Sequence, residues 1–310
     1  MTIKIASIGE CMVELRHRSE TELTLGFGGD TLNFAAYAAR LTRHHDVRVE
    51  YVTALGDDPY SAQMLAMWRA EGVGAAHVAR LPGRLPGLYT IRTDEQGERT
   101  FTYWRSAAAA RAMLENGRGE RLAEALAGHD LLYFTGITLS ILDPGQREQL
   151  AAIAERVRAA GGRVAFDSNF RPAGWPDRDE ARAIFDRFLE LTDIALPTFD
   201  DERVLFGVAD PRACAERLHG LGVPEVVVKL GRQGCVLSSA AATGEVAAEP
   251  VDRVVDSTAA GDSFNAGYLA ARLLGADPQT AGRLGNRVAA RVIAHPGAVI
   301  PAEATADLSA

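Results

Sequence analysis

Asp130-Leu131-Leu132-Tyr133-Phe134-Thr135-Gly136, a helical stretch over 146–160, and then Arg163-Val164-Ala165-Phe166-Asp167 together decide the fold class. Both apolar runs are short and nearly continuous. A strand with one wet face alternates, whereas a run apolar at almost every position belongs to a strand covered on both faces. The same pattern extends outward. Ile3, Ile5 and Ile8 open a first strand, and 47–55 reads as another, ending at Gly56-Asp57-Asp58. The runs 193–196 and Glu225-Val226-Val227-Val228-Lys229 follow, with a helical stretch over 213–221 between them. Strands and helices that alternate in this way predict an α/β fold: a three-layer α-β-α sandwich around a mostly parallel sheet.

Two regions break the alternation. Residues 11–27 and 86–105 carry short β-like pieces, among them Met12-Val13-Glu14-Leu15, Gly87-Leu88-Tyr89-Thr90-Ile91 and Arg99-Thr100-Phe101-Thr102-Tyr103-Trp104. A hairpin turn is expected at Asp94-Glu95-Gln96-Gly97. These pieces read either as a small β lid over the sheet or as ordinary edge strands. No repeat or linker divides the chain, so residues 1–310 are expected to form one domain. The Ala-rich stretch 107–112 reads as helix rather than linker.

Composition sets the outer limits. The chain has 310 residues, 33 of them basic and 41 acidic, a net charge of −8. That balance argues against general nucleic-acid binding, which needs a basic face. It leaves room for an anionic small substrate, held by a few local cations. Cys11, Cys214 and Cys235 are odd in number and widely spaced, so reduced thiols and a cytoplasmic protein are expected. No apolar run is long enough to span a membrane, and the first residues are too short a stretch for a signal peptide.

Ligands of such sheets bind beyond the carboxyl ends of the strands. There fall Asp167-Ser168-Asn169, Lys229-Leu230-Gly231 and the segment Asp256-Ser257-Thr258-Ala259-Ala260-Gly261-Asp262-Ser263-Phe264. The last precedes a helix whose Ala266, Leu269, Ala270, Leu273 and Leu274 keep helical spacing. Unpaired amides at a helix start suit phosphate. Asp262 at that mouth has two readings, a base that takes a proton from an attacking hydroxyl or a helix cap. In Gly28-Gly29-Asp30-Thr31-Leu32-Asn33 the glycines allow close backbone approach to a ligand, and Asp30 and Asn33 offer hydrogen bonds to hydroxyls. GxxxxGK[ST], GxGxxG and HExxH motifs are all absent, which removes the P-loop, dinucleotide-fingerprint and zincin readings. None of the seven histidines has a partner at ligand spacing in the sequence, and His44-His45 reads as a solvated helix end.

These segments resemble the ribokinase-like (PfkB) carbohydrate kinases nearly end to end. The resemblance is carried by Ile8-Gly9-Glu10-Cys11-Met12, by Gly28 to Asn33, by Tyr51 to Gly56 and by Leu85 to Tyr89. It continues through Gly97-Glu98-Arg99-Thr100-Phe101, Val226 to Lys229 and Thr258-Ala259-Ala260-Gly261-Asp262-Ser263. Tyr103-Trp104-Arg105 together with Asn169-Phe170-Arg171-Pro172 points to the branch acting on keto-deoxy sugar acids. The resemblance implies ATP-dependent phosphoryl transfer with Mg²⁺, Asp262 as base, and the Ala259-Ala260-Gly261 amides as anion hole. It implies a sugar-acid site lined by Gly29, Asp30, Asn33, Tyr89, Tyr103, Arg105 and Arg171. Asn169, Lys229, Gly231, Gly234 and Asn286 would meet ATP, with Ala259 and Gly261. Arginine clamps a carboxylate with two prongs, which is why Arg105 and Arg171 mark a keto acid; Arg171 has phosphate as its other reading.

The chain departs from the family at Thr198-Phe199-Asp200-Asp201, where relatives carry Asn-x-x-Glu near Mg²⁺. Asp201 or Glu202 would have to substitute, and the metal ligands stay unassigned. A monovalent cation at Asp256 and Thr258, near Gly297, is a further implication. A neutral-sugar kinase, for instance one acting on fructose, and a non-catalytic sugar-acid sensor are the competing functions; the intact Ala-Ala-Gly-Asp motif weighs against the sensor. Exposed lid edges would favour a homo-oligomer. Neither nucleic acid nor membrane is an expected partner.

Overall fold

The computed structural model describes residues 2–93 and 99–310. The expected turn at Asp94-Glu95-Gln96-Gly97, and Gly97-Glu98 of the resemblance, lie outside the described residues.

The strands are β1 (Ile3–Ile8), β2 (Met12–His17), β3 (Leu23–Gly28), β4 (Val47–Leu55), β5 (Val73–Gly74), β6 (Val78–Arg80), β7 (Gly87–Thr93), β8 (Arg99–Trp104), β9 (Leu131–Thr135), β10 (Arg163–Asp167), β11 (Ile194–Ala195), β12 (Glu225–Lys229), β13 (Cys235–Ser239) and β14 (Thr243–Val246). The helices are α1 (Asp30–Leu41), α2 (Pro59–Ala70), α3 (Arg118–Leu126), α4 (Gly136–Ile141), α5 (Pro144–Ala159), α6 (Arg178–Leu189), α7 (Phe199–Phe206), α8 (Pro211–Gly220), α9 (Ala260–Leu273) and α10 (Pro278–Ile293). The Ala-rich stretch forms only a short 3₁₀ turn, Ala109–Ala112.

The large sheet runs β14-β13-β12-β11-β10-β9-β1-β4-β5, with β6 beside β4. It is parallel from β12 through to β5; only the β12–β13 and β13–β14 pairs are antiparallel. Side chains alternate between two cores. Ala6, Ile8, Leu132, Phe134, Val164, Phe166, Val226 and Val228 face one layer of helices. Ile5, Leu131, Tyr133, Ala165 and Val227 face α1, α9 and α10. This two-sided burial explains the unbroken apolar runs.

From β1 the chain builds outward through β4, then returns to β9 and builds the other way. The order therefore reverses between β1 and β9, and the crevice at such a switch point is where ligands bind. Residues 11–27 and 86–105 form a separate four-stranded sheet, β3-β2-β7-β8. Its centre pairs β2 with β7 in parallel, and the two flanking pairs are antiparallel. Among the described residues no helix is long and apolar enough to cross a membrane. Cys11, Cys214 and Cys235 are free and buried.

Candidate active site

The segment before α9 is pinned at both ends. The Val255 and Asp256 amides donate to Ile293 O at 2.8 and 3.2 Å. Asp256 Oδ1 accepts from the Thr258 amide at 2.8 Å and Oδ2 from the Gly297 amide at 2.9 Å. The chain then turns into the helix through Ala259 at φ 60°, ψ 13°. A non-glycine residue there costs about 1–2 kcal/mol and persists only where its surroundings dictate it. The turn leaves the first amides of α9 facing the crevice. Of the expected anion-hole trio, Ala260 turns its amide back to Ser257 O at 3.3 Å. The amides left as donors at the helix start are therefore those of Ala259, Gly261 and Asp262. Lys229 supplies a cation at the same point, its Nζ 3.4 Å from where a Cβ on Gly261 would stand.

Asp262 is 9% exposed and accepts a 2.8 Å hydrogen bond from Asn33 Nδ2. Burial and then the nearby Asp30 push its carboxyl up to about 7; the Asn33 hydrogen bond opposes the rise, Asp167 adds to it and Lys229 opposes it. Asn33 Oδ1 is buried without a partner among the described residues, an acceptor directed beside the proposed base. Asp30 is spent inside the protein: Oδ2 accepts from Thr135 Oγ1 at 2.5 Å and Asn169 Nδ2 at 2.9 Å, and Oδ1 from the Thr31 amide. Its carboxyl is raised by burial against these bonds. Asp30 thus fixes α1 to the ends of β9 and β10.

On the other flank, Lys229 Nζ donates to Asp167 Oδ2 at 2.5 Å, and both side chains are buried. Asn265 Nδ2 donates to the same oxygen at 2.7 Å. Asn169 stands at φ 33°, its amide on Asp167 Oδ1. After β12 the chain turns through an exposed Gly231 and a buried Gly234, at φ 56° and 94°. A Cβ on Gly234 would meet Val246 O at 2.0 Å, so that glycine is demanded by the sheet edge itself. Asn286 donates to Val246 O and Ala247 O at 3.1 and 2.9 Å, which holds the 246–247 backbone beside α10.

A cavity of about 1140 Å³ opens between the two sheets, lined in part by Gly29, Asp30, Tyr103, Arg105 and Arg171. Gly29 approaches protein rather than open space, because a Cβ there would stand 2.1 Å from Glu10 O. Tyr89 lies outside this lining, its hydroxyl donating to Glu14 Oε2 at 2.5 Å. Tyr103 is half exposed across the strand from Tyr89. Arg105 donates through Nη2 to Glu10 Oε2, and its charge stacks 5.9 Å from the Tyr103 ring. Arg171 is mostly solvated, with Nη1 on Phe170 O at 2.8 Å and Asp201 Oδ2 at 3.2 Å.

Sequence reading missed two residues of this cavity. Glu10 is 2% exposed with Oε1 unpartnered, and burial raises its carboxyl against the pull of Arg105 and then Arg111. Arg111 lines the same cavity, partly buried, and its guanidinium has no hydrogen bond or ion pair among the described residues. Its alanine-rich neighbourhood gave no signal; only the 3₁₀ turn, anchored by Gln146 Nε2 on Arg111 O, aims it inward. Of the two acids offered for Mg²⁺, Glu202 is buried against Arg217 at 3.2 Å. Asp201 pairs with Arg171 at the same distance, but it is partly exposed and lies near Asp167 and Lys229.

The structure adds a cluster that sequence spacing does not show: the His77 and His129 Nε2 atoms both bond Glu50 Oε2, at 2.9 and 3.1 Å. The three come from separate strands and loops, so no spacing rule joins them. His129 lies just before β9 and Glu50 in the first half of β4, away from the strands' carboxyl ends.

Known proteins match the chain and its fold. The signature described as "pfkB family carbohydrate kinase" covers residues 2–305. A 2-dehydro-3-deoxygluconokinase of Escherichia coli is 47% identical over 310 residues, 98% of this chain and 99% of its own. Among solved structures, a PfkB protein from a Polaromonas species superposes with a TM-score of 0.84 at 28% identity, over 99% of this chain and 100% of its own. An E. coli ribokinase II in complex with ATP and Mg²⁺ superposes with a TM-score of 0.82 at 24% identity, over 100% of this chain and 96% of its own.

Proposed function

The chain belongs to the pfkB family of carbohydrate kinases, with their ribokinase-like fold, and from that premise we propose that it phosphorylates 2-keto-3-deoxy-D-gluconate at O6, using ATP. The products are 2-keto-3-deoxy-6-phosphogluconate and ADP. The observation that carries this reading is Asp262: a buried carboxyl raised to about 7, at the mouth of α9 and across from Lys229. A base poised near the working pH suits proton abstraction from an alcohol.

In the proposed step the O6 proton passes to an Asp262 oxygen as the O6–P bond forms. The bond from the γ-phosphorus to the β,γ-bridging oxygen breaks, and its electrons leave on ADP. The Gly261 and Asp262 amides and the Lys229 ammonium lie where negative charge builds on the transferring group. Mg²⁺ supplies neutralisation of phosphate charge when bound with ATP, with Asp201 the carboxylate best situated to hold its water. Asn33 Oδ1 accepts from a sugar hydroxyl, and the small sheet closes over the sugar as a lid. The rim at 231–234, with the backbone held by Asn286, receives the nucleotide. The substrate carboxylate faces Arg105, Arg111 and Arg171. The buried free cysteines suit a reducing cytoplasm.

The competing reading is a kinase of a neutral sugar such as fructose. Its support is the Glu10–Arg105 pair, which offsets one of the cavity's cations. An ADP-release assay over sugar acids and neutral sugars separates the two. The proposal expects kcat/KM on 2-keto-3-deoxygluconate to exceed that on fructose by at least a hundredfold. Preference for fructose, or turnover of neither, overturns it.

A further inference from the structure

The family resemblance implies a monovalent cation beside Asp256, Thr258 and the Gly297 backbone, and the residues present do not fit one. A guanidinium already stands there. Arg16, on β2 of the small sheet, places Nη1 3.2 Å from Asp256 Oδ2. Its Nη2 lies 3.8 Å from where a Cβ on Gly297 would be. Asp256 is 4% exposed, and its two oxygens also take the Thr258 and Gly297 amides. A second positive charge at that buried carboxylate would stand a few ångströms from the Arg16 guanidinium, and like charges that close repel.

We propose that Arg16 is a built-in replacement for the monovalent cation: a positioning residue that braces the 256–261 loop and makes turnover independent of Na⁺ and K⁺. The tethered charge also does what a diffusible ion cannot. Arg16 Nη2 donates to Glu14 Oε1 at 3.0 Å, and Glu14 Oε2 accepts from the Tyr89 hydroxyl. Cross-strand register sets Glu14 opposite Tyr89, and Tyr89 opposite Tyr103, all on the Arg16 face of the small sheet. One line of contacts therefore runs from the anion-hole loop through Arg16 into the sheet that covers the sugar. A cavity of about 500 Å³, lined by Glu14, Arg16 and Gly297, lies alongside. It gives a solvent ion a way in once the guanidinium is removed.

The test compares KCl, NaCl and tetramethylammonium chloride at fixed ionic strength. Wild type is expected to keep kcat within about twofold across the three salts. Arg16→Ser is expected to lose at least tenfold in tetramethylammonium and to recover most of it in K⁺. Arg16→Lys is expected to stay active without K⁺. Melting without ATP or sugar gives a second readout: K⁺ raises the Tm of R16S over the tetramethylammonium value and leaves wild type unchanged. A wild type strongly activated by K⁺ overturns the proposal, as does an R16S variant whose loss K⁺ does not restore. If R16S does not fold, the wild-type salt series and R16K decide. Only the rate measurements depend on the kinase reading. The melting arm uses no substrate, so a wrong substrate and a wrong role for Arg16 give different results.

Discussion

Asp262 is a charge the fold would rather not carry. A buried acid whose carboxyl sits at about 7 stabilises the fold in its protonated form. That contribution is complete below the unfolded value near 4 and is lost as pH rises through about 7. The proposed base acts in the opposite form, so on that proposal kcat/KM should climb with pH through neutrality. Asp262→Asn should lower kcat by roughly 10²–10⁴-fold and raise Tm at pH 8, with the gap closing toward pH 4. Equal turnover, or a lower Tm at pH 8, would contradict the assignment. Asn33 still has an acceptor to bond in that variant, which keeps the comparison clean. Arg111 gives a second test at this scale. Because its guanidinium is uncommitted while Arg105 is held by Glu10, Arg111→Ala should raise KM for the keto acid about tenfold or more, with a smaller effect on any neutral sugar. Equal KM changes on both substrates would mean that the charge does not read the carboxylate.

The start of α9 carries the chemistry of a whole element in one dihedral. With Ala259 at φ 60°, glycine there relieves about 1 kcal/mol of backbone strain. Ala259→Gly should therefore melt at or slightly above wild type and keep activity. Ala259→Val should lose both, because a β-branched side chain does not tolerate that region. Calorimetry and the ADP assay read the pair. Elements differed in how openly the sequence announced them. β10 and β12, buried on both faces, match their apolar runs residue for residue. β13 and β14 were missed because an antiparallel edge half in water mixes Ser, Thr and Gly into its pattern. β3 was hidden in the same way by Gly26 and Gly28. In the candidate site, the structure brings Asp262, Asn33 and Lys229 together, and the sequence singles them out because motif and strand end coincide. Glu10, Arg16 and Arg111 were not, since their importance comes from register and from which charges remain unpaired.

Across the whole molecule, two separate insertions meet in one small sheet, joined by the parallel β2–β7 pair. Its outer strands carry exposed Leu23 and Leu25 on one side and Phe101 and Trp104 on the other. Exposed strand edges of this kind invite pairing. The expectation is a homodimer through these sheets: sedimentation should give twice the chain mass, and Leu25→Glu should shift it to monomer. A wild-type monomer at micromolar concentration would refute that. Only two of the 33 basic residues are lysine, which has a practical side at this scale. Of two lysines, Lys4 lies exposed at the far end of β1, while Lys229 is 6% exposed and locked to Asp167. An amine-acylating reagent meets the native surface at Lys4 and reaches Lys229 only when the nucleotide end of the sheet opens. The acylation rate of that single side chain, followed by mass spectrometry, would be a clock for local unfolding at the catalytic crevice, slowed by whatever binds there.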